Sequence, residues 1–397
     1  NQQIGYYDFI QTITTKGSMS DYSFDGTVLG QHATVSDPVS GDQTWEKVVS
    51  KNLGLDLNMF NNRLSLTTDF YIRDTKGILG KGKSLPSIYG ASEPQMNANN
   101  LRTKGYELVL GWRDSFKLAG STFSYGITGT FSDYTAEYTK CDNPTGLIGD
   151  PYVGKKYGEI WGYKVDGLFR NDKEAAEYAS RIDLSTVASG YYTATGAYGK
   201  GVRGGDIKYL DLNGDNIVNG GKGTLDDPGD RRVIGNSSPR YQYGASLNFS
   251  WYGFDVSVFM QGIGRLDWYP GADNLRFWGP YCRPYATFVP KNFMSQVWSE
   301  ENPDAYFPRA RAYTSLNSNS GTAYYTNDRY LQNLAYCRLK NLTIGYTIPR
   351  RLTSKVGIKE CRIYFSGENL ATWSALKSDF LDPEQAAADS DKKANVY

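Results

Sequence analysis

YCRLKNLTIGYTIP, Tyr336 to Pro349, is the stretch whose reading decides the fold. From Leu342 onward it alternates: Leu342, Ile344, Tyr346 and Ile348 point one way, Thr343, Gly345 and Thr347 the other. Successive side chains of a strand face opposite sides of the sheet. The ribbon therefore has one apolar face and one face of small or polar groups. A soluble sandwich would turn the apolar face inward against a second sheet. A membrane β-barrel would turn it outward, towards lipid. What the protein does depends on which of the two applies.

The pattern recurs along the chain. RLSLTTDFYIR sets Leu64, Leu66, Phe70 and Ile72 against Arg63, Ser65, Thr67, Asp69 and Arg73, and GYELVLGW sets Tyr106, Leu108, Leu110 and Trp112 against Glu107, Val109 and Gly111. TFSYGITGTFS opposes Phe123, Tyr125, Ile127 and Phe131 to Thr122, Ser124, Gly126, Thr128 and Thr130. In YQYGASLNFSW, Tyr241, Tyr243, Ala245, Leu247, Phe249 and Trp251 oppose Gln242, Gly244, Ser246, Asn248 and Ser250. A tight turn at Tyr252-Gly253 leads into FDVSVFMQ, with Phe254, Val256, Val258 and Met260 on one side, and CRIYFSGENL places Ile363 and Phe365 together. Several runs reach the roughly 9 to 11 residues that a tilted strand needs to cross a bilayer. Tyr106 and Trp112, or Tyr241 and Trp251, bracket an apolar face as an interfacial girdle would. These features together favour the barrel.

Composition is consistent with an all-β chain. The 397 residues include 32 Tyr and 43 Gly but only 5 Met. A mean hydropathy of −0.52, without any long uncharged apolar run, excludes a helical membrane protein. It leaves a barrel open, since only alternate residues need be apolar. With 43 basic and 42 acidic residues, no charge imbalance points to nucleic acid. Cys141, Cys282, Cys337 and Cys361 form no CxxC pair, so neither a zinc site nor a disulfide framework is expected. The single histidine, His32, lies in the polar stretch GQHATVSD. Any Ser-His-Asp or Cys-His machine would need it, and a surface position is the expectation. A glycosidase would need two flanking carboxylates, and no pair stands out. An adhesin built of β-sandwich domains would show domain-sized repeats, and there are none.

Long segments rich in Gly, Asn, Asp, Pro and Tyr separate the strands, notably residues 141–160, 171–205, 262–330 and 374–397. Loops of that length are often functional, and on a barrel they would be the external ones. NDKEAAEYASRI, residues 171–182, reads as one short helix exposed in a loop. Trp268, Tyr269, Trp278, Tyr281 and Tyr285 offer flat faces that could stack on sugar rings or meet a partner protein. Packing within the loop cluster is the alternative. Residues 264–285 are the first loop to consider for substrate contact.

GGDIKYLDLNGDNIVNGGKGTLDDPGDRR carries the one candidate metal site. Asp211, Asn213 and Asp215 occupy positions 1, 3 and 5 of a calcium loop, Ile217 would offer its carbonyl at 7, and Asn219 stands at 9. Position 6, a glycine in an EF-hand, is Asn216, and position 12 is Lys222 where a bidentate acid belongs. Asp230, beyond an insertion, or Asp226 or Asp227 could supply the missing ligand. A turn held by side-chain to backbone hydrogen bonds is the competing reading. A bound Ca2+ would stiffen the loop rather than catalyse.

The chain resembles the C-terminal half of SusC/RagA-type TonB-dependent outer-membrane transporters of Bacteroidetes. The resemblance rests on FNNRLSLTTDFYIRDTKGIL, NLRTKGYELVLGW, YGEIWGYKVDGLF, GDIKYLDLNGD, DRRVIGNSSPRYQYG, FDVSVFMQG, FPR, YLQNLAYCRLKNLTIGYTIP, CRIYFSGENLATW and the triplet Asp382-Pro383-Glu384, in that order. It implies a portion of a large antiparallel transmembrane β-barrel, about 22 strands when whole, with long extracellular loops. It also implies import of a large nutrient, most often an oligosaccharide and sometimes a peptide, energised through TonB, with a SusD-like surface lipoprotein as lid. On this expectation residues 1–397 are the C-terminal part of the barrel, and the plug, the TonB-contacting segment and the signal peptide lie upstream of Asn1. No catalytic residue and no nucleic-acid partner are implied. The expected location is the outer membrane of a Gram-negative, Bacteroidetes-like cell.

Overall fold

The structure, a computed structural model, describes residues 11–17, 23–24, 27–28, 31–36, 38–41, 43–81, 88, 93–193, 201–272, 274–282, 289, 291–311, 316, 323–377 and 381–386. Eight strands form the main sheet: β1 Lys47–Met59, β2 Leu64–Lys81, β3 Gln95–Leu118, β4 Ser121–Lys140, β5 Arg240–Trp251, β6 Phe254–Arg265, β7 Tyr336–Thr347 and β8 Arg362–Ser374. Their order in the sheet is their order in the chain. This is the up-and-down arrangement in which each strand finds its partner across a hairpin. The sheet is open, with β1 and β8 at its edges. Among the described residues no helix is long and apolar enough to cross a membrane, which says nothing of strands.

Contacts divide the chain into two compact units, one of Asn1–Lys51, Tyr71–Lys104 and Ala136–Lys155, the other of Asn52–Phe70, Gly105–Thr135 and Lys156–Tyr397. In the first, Asn97 pins neighbouring backbones: its amide nitrogen donates to the Thr44 carbonyl at 2.8 Å and the Gly77 carbonyl at 2.5 Å, and its oxygen accepts from the Thr44 amide at 2.7 Å. His32 lies on a short ribbon, where Gln31–Val35 pairs with Ile13–Gly17.

In the second unit the register assembles the two faces that alternation predicts. Ile127, Leu247, Val258 and Leu342 are successive cross-strand partners, as are Tyr125, Phe249, Val256, Ile344 and Phe365. The opposite face sets Gly126 against Asn248, Ser257, Thr343 and Ser366. Apolar side chains on the first face stand in the open: Leu247, Ile344, Ile363 and Phe365 are 37%, 42%, 64% and 59% exposed. Among the described residues no second sheet covers them, as a sandwich would require.

Two aromatic rows border that face. Phe70, Tyr106, Phe131 and Tyr241 touch in sequence, with ring centroids 6.3, 5.9 and 6.5 Å apart. Near the short turns, Phe116, Phe123 and Phe249 form the other row at 5.3 and 6.4 Å, and Phe254 meets Tyr346 at 4.6 Å. Tyr241 and Trp251 lie near the two ends of β5. Ten residues of strand span about 33 Å, or about 25 Å of membrane depth at a tilt near 40°. That is the height of the apolar band of a membrane barrel.

The turns are tight because their backbones are left-handed. Tyr252 and Gly253 have φ of 48° and 82°, Ala119 and Gly120 of 50° and 85°, the signature of a type I′ hairpin. A Cβ on Gly253 would lie 2.6 Å from the Thr347 carbonyl oxygen, so the site requires glycine. β3 and β4, at 24 and 20 residues, run well past the length a bilayer requires. Once two strands pair, the ladder continues while both backbones remain extended, lipid or not. The helix α1, Asp172–Ala179, forms where the sequence places it: Asn171 Oδ1 accepts from the Glu174 amide at 2.9 Å and Glu174 Oε2 from the Arg170 amide at 2.7 Å.

Leu247→Arg should lower the fraction of full-length protein that assembles into membranes, by about 2–4 kcal/mol near the middle of the apolar band. Asn248→Arg, one residue away on the polar face, should assemble close to normally. Heat-modifiable gel migration of the two variants measures this, and equal assembly would reverse the assigned faces.

Candidate functional site

The polar face of the second unit encloses a groove of about 880 Å³ at its short-turn end. Asn61, Asn62, Arg63, Arg113, Asp114, Ser115, Ser124, Asn248, Ser250, Asp255 and Ser257 line it. Its charges are paired within the wall. Arg63 meets Asp114 at 3.2 Å, Arg113 Nε donates to the Asn62 carbonyl at 3.0 Å, and Arg362 meets Asp255 at 2.5 Å. Farther along, the Thr343 and Ser366 hydroxyls share a hydrogen bond at 3.0 Å. A wall of hydroxyls, amides and balanced ion pairs keeps water and offers both donors and acceptors. Tyr125, Phe249 and Val256 add apolar surface to the lining, and the polar groups beside them suit a hydrated conduit.

The long connections pack into a layer with its own core. Trp278 and Tyr330 are fully buried, and Phe277, Tyr281 and Phe307 nearly so. Their rings interlock: Trp278 on Tyr330 at 5.0 Å, Tyr281 stacked on Phe307 at 5.9 Å, Phe277 on Phe307 at 5.6 Å. Each polar tip finds a backbone acceptor. Trp278 Nε1 donates to the Pro270 carbonyl at 3.3 Å, the Tyr281 hydroxyl to Pro308 at 2.6 Å, and the Tyr330 hydroxyl to Tyr306 at 3.1 Å. The Tyr269 hydroxyl donates to the Tyr325 carbonyl at 3.0 Å and accepts from Asn327 Nδ2 at 3.0 Å. Of the aromatic candidates, Trp278 and Tyr281 are interior, Trp268 and Tyr269 half-buried against the same core, and Tyr285 lies outside the described residues. The four described rings pack into the loop layer, with Trp278 and Tyr281 closed off inside it and Trp268 and Tyr269 partly exposed.

Spacing did not reveal a buried ion pair within this core. Asp206 and Arg311 are both buried, and Arg311 Nη2 lies 2.6 Å from Asp206 Oδ2. The Arg203 amide also donates to Asp206 at 2.7 Å, and the Arg311 guanidinium sits 4.1 Å from the centroid of the Tyr191 ring. Burial pushes the Asp206 carboxyl up to about 6, against the pull of Arg311. Gly205, at φ +85°, packs under Trp298, where a Cβ would meet the indole at 2.4 Å. A lone acid after two glycines and an arginine after FPR were the available signals, though the pair is 105 positions apart.

A second unforeseen tie joins loops to wall. Arg338, largely buried, reaches Glu384 at 2.6 Å, Asp382 at 2.7 Å and the Thr372 hydroxyl at 2.9 Å, while Lys340 reaches Glu384 at 2.8 Å. Leu381 and Ala386, flanking those acids, are buried in the loop core. The Asp382-Pro383-Glu384 turn thus straps the loop layer to β7.

In the calcium-like segment the side-chain oxygens of Asp211, Asn213, Asp215, Asn219 and Asp230 are all engaged as acceptors. Asp211 accepts from the Gly214 and Asn216 amides at 2.7 and 2.9 Å, Asn213 from Asp215 at 3.1 Å, and Asp215 from Ile217 at 2.8 Å. Asn219 accepts from the Gly221 amide at 2.5 Å. Asp230 is fully buried and clips the segment's ends, accepting from Leu212 at 2.7 Å and Asn219 at 2.9 Å. Asn216 has φ +66°, the left-handed bend that position 6 of a calcium loop requires. Among the described residues no three His, Cys, Asp or Glu side chains cluster as a metal cage. The backbone therefore fits the loop, while the carboxylate count as arranged fits a self-capped turn.

No family model matches the chain. Among curated proteins it is 25% identical over 379 residues to TonB-dependent receptor P3 of Formosa agariphila, covering 92% of this chain and 33% of that protein. It is 26% identical over 363 residues to TonB-dependent receptor P26 of the same organism, covering 88% and 32%. The chain thus spans about a third of the length of the curated relatives it matches. Among solved structures it is similar to the RagAB peptide transporter, with a TM-score of 0.65, 20% identity, and coverage of 97% of this chain and 37% of that one. The RagAB peptide importer in its closed-closed state gives a TM-score of 0.61 at 21% identity, covering 97% and 37%. The resemblance to SusC/RagA-type TonB-dependent transporters is borne out along most of the chain. The fold is an open, antiparallel part of such a barrel.

Burial holds the loop tyrosines un-ionised: Tyr306 is pushed up to about 12, and Tyr209, Tyr269 and Tyr330 are raised as well. Folded values above the unfolded one of about 10 mean a contribution fully present below pH ~10 and lost as pH rises through ~12. Alkaline titration followed by tyrosinate absorbance should show these phenols ionising only together with loss of loop protection from hydrogen exchange. Smooth ionisation with protection retained would contradict the packed core.

Proposed function

We propose that this chain forms the conduit wall and external loop layer of a TonB-dependent, SusC-like importer of a large nutrient across the outer membrane, working with a SusD-like surface lipoprotein. The observation that carries the proposal is the pairing of a lipid-type face with a grooved, charge-balanced polar face, in a chain whose curated relatives are TonB-dependent receptors. The protein is a transporter and not an enzyme on this reading. The cargo is an oligosaccharide or a peptide. With the loop aromatics committed to packing, wall chemistry does not favour sugars, and a fold shared with a peptide transporter at 20% identity does not favour peptides.

Detergent extraction of the full-length protein from outer membranes, with mass spectrometry of what co-purifies, tests the reading. The expected result is membrane residence, a stoichiometric surface lipoprotein, and a bound glycan or peptide that identifies the cargo. Recovery alone in the soluble fraction would overturn it in favour of a secreted adhesin or glycan-binding protein.

Calcium binding is a separable second reading, supported by the left-handed Asn216 and the oxygens of Asp211, Asn213, Asp215, Ile217 and Asn219 along one turn. Asp230 would close the set with the lone pairs left beside the amides it holds. A Ca2+ ion there would stiffen the loop. Calorimetric titration of the full-length protein with Ca2+ should show binding that Asp211→Asn with Asp215→Asn abolishes. No heat in the natural protein would leave the hydrogen-bonded turn as the whole account.

A further inference from the structure

The turn between β7 and β8 differs from the other short connections. Pro349 opens a helical turn, Arg350–Thr353, that continues through Ser354–Val356 and ends at Gly357 with φ +74°. The Leu352 amide donates to the Pro349 carbonyl at 2.8 Å, the Ile358 amide to Thr353 at 3.0 Å, and the Ile348 amide to Cys361 at 2.9 Å, closing the neck. The result is a small, internally bonded knob rather than a loose loop.

Its surface joins two features that rarely occur together by accident. Leu352, Val356 and Ile358 are 57%, 71% and 46% exposed. Around them Arg350, Arg351, Lys355 and Lys359 are exposed, against one acid, Glu360, within residues 349–360. Among the described residues none of these four cations makes an ion pair. On the strands, by contrast, Arg240, Arg265, Arg338 and Arg362 all have carboxylate partners. The knob follows directly from the lipid-type face: Tyr346 precedes it, Ile363 and Phe365 come after, and the Phe254–Tyr346 ring contact lies at its base.

We infer that residues 349–360 form an interfacial foot that docks on the anionic phospholipid headgroups of the leaflet at the short-turn end of the barrel. Unpaired guanidinium and ammonium groups match headgroup phosphates, with arginine able to bind them bidentately. Leucine, valine and isoleucine enter the boundary between headgroups and acyl chains, as on surface-bound amphipathic segments. Charge complementarity and continuity with the apolar face select lipid as the occupant. The foot rests on the membrane-embedded reading of the barrel and adds a lipid preference to it.

The test uses the full-length transporter in nanodiscs of phosphatidylcholine with and without phosphatidylglycerol, read by native mass spectrometry of retained lipid. The natural protein should retain phosphatidylglycerol preferentially. Changing Arg350, Arg351, Lys355 and Lys359 to Gln together should reduce that preference by about fivefold for each cation removed. Lys355→Gln with Lys359→Gln, both on the exposed knob, provides a partial loss should the quadruple variant fail to assemble. An unchanged preference in a variant that still inserts would overturn the foot and leave the barrel standing. So would capture of an acidic protein that depends on the four cations while lipid retention does not. Recovery of the natural protein outside any membrane would sink both readings.

Discussion

A backbone amide or carbonyl left without a partner in hydrocarbon costs several kcal/mol, and every strand of the main sheet between its edges, β1 and β8, is paired on both sides. Each strand pairs with its neighbour in the chain, so the ladder forms from local hairpins, tightened where Ala119-Gly120 and Tyr252-Gly253 adopt left-handed backbones. With the backbone committed to pairing, side chains are the remaining variable, and their alternation gives one surface for lipid and one for water. Every charge on the groove-bearing face must then be tolerated close to a low-dielectric wall. Arg63 with Asp114 and Arg362 with Asp255 meet that demand in place.

The loop layer solves a different problem. Segments of that length carry only short two-stranded ladders, as where Arg231–Asn236 pairs with Glu159–Tyr163, so they also need a core and many individual acceptor and donor matches. Tyrosine and tryptophan supply both in one residue: ring area for burial and a polar tip for a carbonyl. Tyr281 on Pro308, Tyr330 on Tyr306 and Trp278 on Pro270 repeat this arrangement. The buried Asp206–Arg311 pair adds a contact that is costly to break from one side, about 3–5 kcal/mol for loss of one partner. The Asp382-Pro383-Glu384 strap then carries that rigidity to β7.

Alternation makes the faces of β5 to β8 legible in the residues alone, because a period of two is visible in one strand and Leu247, Val258 and Leu342 need only be aligned. The Tyr252-Gly253 turn and the short helix after Asn171 are legible for the same reason, being local. Strand length is not: pairing of β3 and β4 past the bilayer depends on the neighbour, not on the strand's own residues. Neither is the fate of the loop aromatics. Trp278 and Tyr281 read equally well as exposed or buried, since loop composition carries no period to assign a side. The Asp206–Arg311 pair is hidden by a sequence separation of 105 positions. In the calcium-like segment, spacing reveals the oxygens but not which amides they already hold.

The commitment of aromatic rings to the loop core bears on how cargo could be chosen. A ring that anchors Phe307 or Tyr330 cannot also stack on a ligand without opening the layer, and its hydroxyl already serves a carbonyl. What remains along the groove is a set of hydroxyls, amides and paired charges of both signs. Such groups bond to sugar hydroxyls and to peptide groups with similar energies, about 0.5–1.5 kcal/mol net each. On the importer reading, a wall of this kind would bind a passing polar chain without strong preference. On that reading the groove chemistry by itself does not separate glycan from peptide.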